Sequence, residues 1–236
     1  MKNFFILCAC LIALPATIFA QDHVAKFYPT ALLNRNVEFG YEYLMAGNST
    51  LNFTAALKIP SNVSSIVTAQ FDEQPATITQ LESKATGFKL GAEYRFYPGD
   101  YSPEGFYIGP YLNFNRNAIS FDNLGVNEDI VDAKGAITHF GGGAIMGYQW
   151  ILGDVFTLDW TFFGIGVNNY GLGLDIEPVE GEIDLEGLAS DITTEFEDFP
   201  ILGDRIESEV QGDKVRTKTG FLFVHFRTRL ALGYSF

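Results

Sequence analysis

Cysteine is nearly absent from this 236-residue chain, which has only Cys8 and Cys10. Both fall in an apolar N-terminal run, so the rest of the chain can build neither a disulfide nor a cysteine-bound metal site. Bases are scarce too, 15 against 29 acidic residues, for a net charge of −14. That balance excludes the phosphate backbone of nucleic acid as a partner. Beyond the N-terminal run no stretch of about 18 uninterrupted apolar residues occurs, so helical spans are excluded and strands are the remaining route into a bilayer. No nucleotide-binding loop, zinc signature, EF-hand loop or G-x-S-x-G element is present. The sequence thus names no catalytic residue, no metal ligand and no cofactor, and the expectation is that the protein is not an enzyme.

The N-terminus has one base, Lys2, then an apolar run from Phe4 to Leu14, Pro15, and a small-residue ending at Ala20 before Gln21 and Asp22. These are the three parts of a secretory signal peptide over 1–20, with cleavage expected after Ala20. Leu7-Cys8-Ala9-Cys10 loosely resembles a lipobox, but the apolar core continues past Cys10. The mature chain expected from this, 21–236, is one unit with no linker-like segment.

What the chain does have is 24 glycines, 22 phenylalanines and 11 tyrosines, arranged with period two wherever the sequence is apolar. From Leu222 to Phe236 the even positions include Leu222, Val224, Phe226, Leu230, Leu232, Tyr234 and Phe236, while His225, Arg227, Arg229 and Ser235 are odd. The same alternation runs through Val37–Tyr43, Leu51–Lys58 and Phe88–Phe96, and more noisily through 106–115, 137–150 and 156–167. These are seven candidate strands. If both termini lie on one side the count must be even, and 24–33 is the best place for the missing strand, although Pro29 weakens it.

The connections alternate in length. Those at 46–49, 98–104 and 151–154 are short; those at 60–85, 118–134 and 171–217 are long. Short turns on one side and long loops on the other are the habit of transmembrane barrels. Tyr41, Tyr43, Tyr94, Phe96, Tyr97, Tyr148, Trp150, Tyr234 and Phe236 cluster beside the short turns, as an interfacial aromatic girdle would. The expected fold is therefore all-β, an eight-stranded antiparallel transmembrane barrel with short periplasmic turns and long extracellular loops. A soluble lipocalin-like barrel would need its apolar face inward, leaving Glu42, Arg227 and Arg229 outside.

Segments such as Val37-Glu38-Phe39-Gly40-Tyr41-Glu42-Tyr43 and Gly91-Ala92-Glu93-Tyr94-Arg95-Phe96-Tyr97-Pro98, with the terminal Leu230, Leu232, Tyr234 and Phe236, resemble small outer-membrane β-barrel proteins of the OmpA/OmpX-like, porin-family class. The resemblance implies location in the cell outer membrane, contact with its lipid, and a C-terminal signal at Leu230, Leu232, Tyr234 and Phe236 read by the barrel assembly machinery. It implies a structural or surface-interaction role, with any extracellular ligand unspecified, more than a chemistry.

The lumen of a barrel this small is just wide enough for side chains, so inward charges must pair. By parity a lumenal ion-pair network is expected from Glu38, Glu42, Lys58, Glu93, Arg95, Asp159, Arg227 and Arg229, with Lys89 also inward; it would plug the pore. The alternative is a narrow pore lined by the same groups, or a lipid-modifying barrel enzyme using His139 and His225, which also point inward. Neither histidine has an obvious nucleophile or orienting carboxylate on its strand. In the long acidic loop at 171–217, Leu185, Leu188, Ile192, Phe196 and Phe199 recur at helical steps, as an amphipathic helix over the barrel mouth would require.

Overall fold

The structure, a computed structural model, describes residues 22–45, 47–60, 82–99, 103–126, 129–180, 186–187, 207–211 and 214–236. The expected signal peptide with Cys8 and Cys10 lies outside the described residues, as do Leu185, Leu188, Ile192, Phe196 and Phe199 of the helical pattern.

Among the described residues ten antiparallel strands form one ring-closing sheet: β1 (His23–Phe27), β2 (Asn36–Leu44), β3 (Ser49–Lys58), β4 (Glu82–Phe96), β5 (Gly105–Val126), β6 (Asp129–Leu152), β7 (Phe156–Glu180), β8 (Glu207–Gln211), β9 (Lys214–Phe226) and β10 (Arg229–Ser235). Each of β1 to β6 pairs with the next, β7 pairs with β9, and β10 closes the ring by pairing with both β7 and β1, Leu232 lying opposite Leu158 on one side and Phe27 on the other. Closure matters because an open edge leaves a row of unsatisfied backbone groups. At one end His23 and Phe236 meet, the Phe236 amide donating to the His23 carbonyl at 2.9 Å. The short connections at 45–48 and 153–155 lie at that same end, which we call the terminal end.

The pattern of burial is inverted relative to a water-soluble core. Glu42, Glu93, Arg95, Gln149 and Asp159 are buried, while Phe39, Phe53, Leu90, Leu112, Phe140 and Trp160 are exposed. Period two puts alternate side chains on opposite faces, so a charged interior and an apolar exterior follow directly from the sequence alternation.

Three expectations are corrected. The first strand does not run over 24–33. It ends at Phe27 and passes into a 3-10 helix, Pro29–Asn34. Pro29 has no N–H for the ladder and occupies the start of that helix, which Arg35 ends in a left-handed conformation at φ 54°. Next, much of the expected long loops is strand: β5 and β6 pair out to Val126 and Asp129, β7 runs to Glu180 against β6 and to Ile176 against β9, and β8 pairs on the other side of β9. Finally, the strand expected at Leu222–Phe236 is broken into β9 and β10 at Arg227 and Thr228, although its inward and outward parity survives the break.

The noise in 156–167 has a structural cause. The register of β6 against β7 shifts between Met146 and Gly147, and Phe162 and Phe163 are both exposed. A bulge adds one residue to one strand and flips the parity beyond it. Asp159 and Thr161 before it and Gly164, Gly166 and Asn168 after it therefore all face the lumen.

Candidate functional site

Inward positions of β1, β2, β4, β6, β7 and β10 converge near the terminal end. The Lys26 ammonium lies 2.6 Å from Glu42 and 2.7 Å from Asp159, and donates to Gln149 at 2.6 Å. Arg95 reaches Asp159 at 2.7 Å and Glu42 at 3.5 Å, and grips Glu93 through Nε at 3.0 Å and Nη2 at 2.6 Å. Glu93 also accepts from Asn52 at 2.9 Å, from Arg227 at 2.7 Å and from Arg229. Arg229 reaches Glu38 at 2.8 Å, and Lys89 reaches Glu38 at 3.1 Å. Thr50 and Tyr97 donate to Glu42, and Tyr107 donates to Asp159 at 2.8 Å. Every carboxylate in the set thus meets at least two cations, as burial in a medium of low polarity demands.

Seven of the eight residues expected in the network are brought together: Glu38, Glu42, Glu93, Arg95, Asp159, Arg227 and Arg229. Lys58 is not among them. It ends β3 opposite Asn36, away from the terminal end, and makes no ion pair with a described residue. Lys26 is the cation the sequence reasoning missed. The signal was available, since Val24 and Lys26 are alternate residues on a strand whose other face carries His23, Ala25 and Phe27.

A second pattern had no counterpart in the expectations. Three guanidiniums lie over tyrosine rings: Arg95 over Tyr107 at 4.4 Å, Arg227 over Tyr111 at 4.7 Å and Arg229 over Tyr28 at 4.4 Å. Each tyrosine in turn lies against an inward glycine. A Cβ at Gly147 would collide with Tyr107, one at Gly166 with Tyr111, and one at Gly40 would come within 2.9 Å of Tyr28. The glycines give the rings room, and the rings support the arginines. Gly147→Ala is expected to destabilise the protein by about 1–3 kcal/mol, because the methyl would displace Tyr107 from Asp159 and also press on the Trp160 carbonyl. Gly173→Ala meets nothing within 4 Å and is expected to shift the urea midpoint by an equivalent of less than about 0.5 kcal/mol. Equal shifts would disprove the seating of the ring.

Farther from the terminal end a cavity of about 390 Å³ opens above this network. Lys89, Asn113, His139, Asn168, His225 and Arg227 line its lumenal side. His225 shares a hydrogen bond with Tyr111 at 2.9 Å, and the His139 ring packs on Tyr170 at 4.8 Å between centroids. At the far end, in the β7–β9 ladder, the Asp175 carboxylate accepts from Arg216 at 2.7 Å and holds that guanidinium's pKa above its usual value. Of the expected C-terminal signal, Leu232, Tyr234 and Phe236 face outward; the Tyr234 ring stacks on Phe236, and Phe236 on His23.

Fold and site together define a class: a closed antiparallel β-barrel with an ionic interior and an apolar exterior. The chain belongs to a family of proteins of unknown function, DUF3575, whose model matches residues 4–171. No curated protein matches the sequence. Among solved structures the chain is similar to the translocator domain of the autotransporter NalP from Neisseria meningitidis, with 10% identity, a TM-score of 0.34, and coverage of 100% of this chain and 95% of that one. It is also similar to the outer membrane protease OmpT from Escherichia coli, with 8% identity, a TM-score of 0.34, and coverage of 91% and 92%.

Proposed function

We propose that the protein is an outer-membrane β-barrel with a structural or surface-interaction role, its lumen plugged by the ion-pair network. The observation that supports this best is the inverted burial, with Arg95, Glu93 and Glu42 enclosed and a belt of Phe, Tyr, Trp and Leu facing outward. A belt of that kind is costly in water and stable in lipid. In this proposal β9 and β10 are two halves of one stave and β8 lies outside the ring, which gives eight staves, an even number with both termini at the periplasmic end. Strands β5, β6, β7 and β9 then continue past the membrane, and their outer parts present the acidic segment around 171–217 to the outside. Leu230, Leu232, Tyr234 and Phe236 serve as the signal for the assembly machinery. We take His139 and His225 as packing and binding groups, because the contacts they make are with Tyr170 and Tyr111.

The test is reconstitution of the folded chain in a planar bilayer. The plugged barrel is expected to pass no steady ionic current, and Asp159→Ala combined with Arg95→Ala is expected to introduce one, since those side chains and Lys26 meet inside the barrel. Steady conductance in the wild-type protein would overturn the plug and favour the narrow pore. A chain that never enters the bilayer would overturn the membrane placement.

A further inference from the structure

The cavity above the ionic network exists because two inward levels of the wall carry little side chain. On one level Glu38 lies opposite Ala56 and Ala56 opposite Lys89, and farther round the ring His139 lies opposite Tyr170. On the other, Gly141 stands between Asn113 and Asn168. A Cβ at Gly141 would collide with the Asn168 side chain. Glycine there lets the two amides meet, Asn113 Nδ2 donating to Asn168 Oδ1 at 3.3 Å. Ala56 and Gly141 thus withdraw bulk where a lumen of eight staves is otherwise filled by side chains. The space of about 390 Å³ that results falls in the range of small-molecule sites.

Its floor carries unbalanced charge. Lys89, Arg227 and Arg229 line it with Glu38, and Glu93 beneath accepts from both arginines, so three cations face two carboxylates. The excess is not cancelled deeper in the network, where Lys26 and Arg95 face Glu42 and Asp159, two against two. Side-chain exposure rises from 7% at Arg229 and 9% at Arg227 to 25% at Lys89, and Asn34 at the edge of the cavity is exposed. The space therefore opens away from the terminal end.

Above the floor the lining is mostly amide and hydroxyl. Asn34, Asn36, Asn113 and Asn168 each bring donors and an acceptor, and Thr30 and Thr228 add hydroxyls. Asn113 Oδ1 and His225 Nδ1, at the wall, have no hydrogen-bond partner among the described residues. The rings of His139 and Tyr170, 4.8 Å apart between centroids, give the space an apolar side. A bare inorganic anion uses donors alone and leaves the amide acceptors unmet. A divalent cation would find one carboxylate in the lining and three cations beside it. Hydroxyl groups next to one acidic group match both halves of the lining.

We propose that this cavity binds a small anionic sugar, a monosaccharide bearing one carboxylate or phosphate group, which enters from the end away from the chain termini. The acidic group sits against Lys89 and Arg227, and the hydroxyls exchange hydrogen bonds with Asn36, Asn113 and Asn168. The inference rests on the surface-interaction role proposed above and gives it a ligand class.

The test is isothermal titration calorimetry on the full-length mature chain, folded in neutral detergent, with glucuronate and glucose 6-phosphate as probes. One site per barrel is expected for each. Glucose, acetate and inorganic phosphate should bind at least tenfold more weakly, and glucosamine should not bind. Lys89→Gln is expected to weaken glucuronate binding at least tenfold and Lys89→Arg to restore most of it, while Lys84→Gln, at an exposed position on the same strand, changes nothing. Mobility of the unheated protein on a gel checks that each variant is folded. The methyl glycoside of glucuronate separates two sources of the same chemistry: binding as tight as the free acid assigns the site to the end of a glycan, and loss of binding assigns it to a free sugar. Glucose binding as tightly as glucuronate would overturn the role of the bases, and inorganic phosphate binding as tightly as glucose 6-phosphate would overturn the role of the amides. A folded Lys89→Gln protein that binds undiminished overturns the site. A barrel that enters the bilayer and carries no current, yet gives no heat with either probe, overturns this inference alone. A chain that never enters the bilayer overturns the membrane placement.

Discussion

Glu93→Gln is expected to destabilise the folded protein by about 3–5 kcal/mol, with the packing around it almost unchanged in volume. The carboxylate is the shared partner of Arg95, Arg227 and Arg229 and accepts from Asn52 as well. Once it is neutral, Arg95 keeps Asp159 and Glu42, and Arg229 keeps Glu38. For Arg227, Glu93 is the carboxylate it pairs with, so its guanidinium is left over the Tyr111 ring with no ionic partner in the network. A stranded charge in a nearly closed site costs more than the lost attraction itself, so Arg227→Met should recover part of the loss in the Glu93→Gln background while destabilising the wild type. The readout is the urea midpoint of the heat-sensitive gel shift in detergent. Strictly additive effects would show that the two groups do not communicate.

Much of this was legible from period two alone. Glu38, Glu42, Glu93 and Arg95 sit on strands whose alternation is unbroken, so their inward direction could be read directly, and pairing followed from the size of the lumen. Lys58 was misjudged because parity gives a side but not a depth: it faces the same way as Thr54 and Ala56, but lies at the far end of its strand. The bulge at Phe162 and Phe163 hid the lumenal run Gly164, Gly166 and Asn168, because one extra residue inverts the alternation and leaves no mark on composition. The inward glycines were visible in the sequence, but not what each one faces. That they seat Tyr28, Tyr107 and Tyr111 depends on the cross-strand register, which sets Tyr107 opposite Gly147 and which no local pattern carries.

The end of the first strand was legible in one residue and misread in position. Pro29 marked the first strand as weak, and the structure turns that weakness into a 3-10 helix over Pro29–Asn34. Acidic composition between 171 and 217 suggested a solvated loop, yet Asp175 and Glu177 alternate along β7 and face Arg216 and Lys214 on β9. Charges placed opposite each other across an antiparallel ladder stabilise it. A run of acids is therefore compatible with a strand when its partner strand carries the bases.

The largest effect is expected from reversing charge at Arg229. The side chain is buried and bridges Glu38 and Glu93, while its guanidinium covers the Tyr28 ring at 4.4 Å. Arg229→Glu would place a third carboxylate against those two with Lys89 and Arg227 as the nearby bases, adding repulsion to the loss of two partners. The cost should exceed the roughly 3–5 kcal/mol of simply breaking a buried pair and so consume most of a stability of about 5–15 kcal/mol. No compact band should be recovered at room temperature. Lys84→Glu makes the same formal change at an exposed position on β4 and should move the urea midpoint by an equivalent of less than about 0.5 kcal/mol. Arg229→Met separates repulsion from loss of pairing: it keeps the bulk against Tyr28, removes the charge, and should fall between the two. If Arg229→Glu and Lys84→Glu shift the midpoint equally, the Arg229 side chain is solvated in the folded protein, and the closed ionic interior is not what holds the ring together.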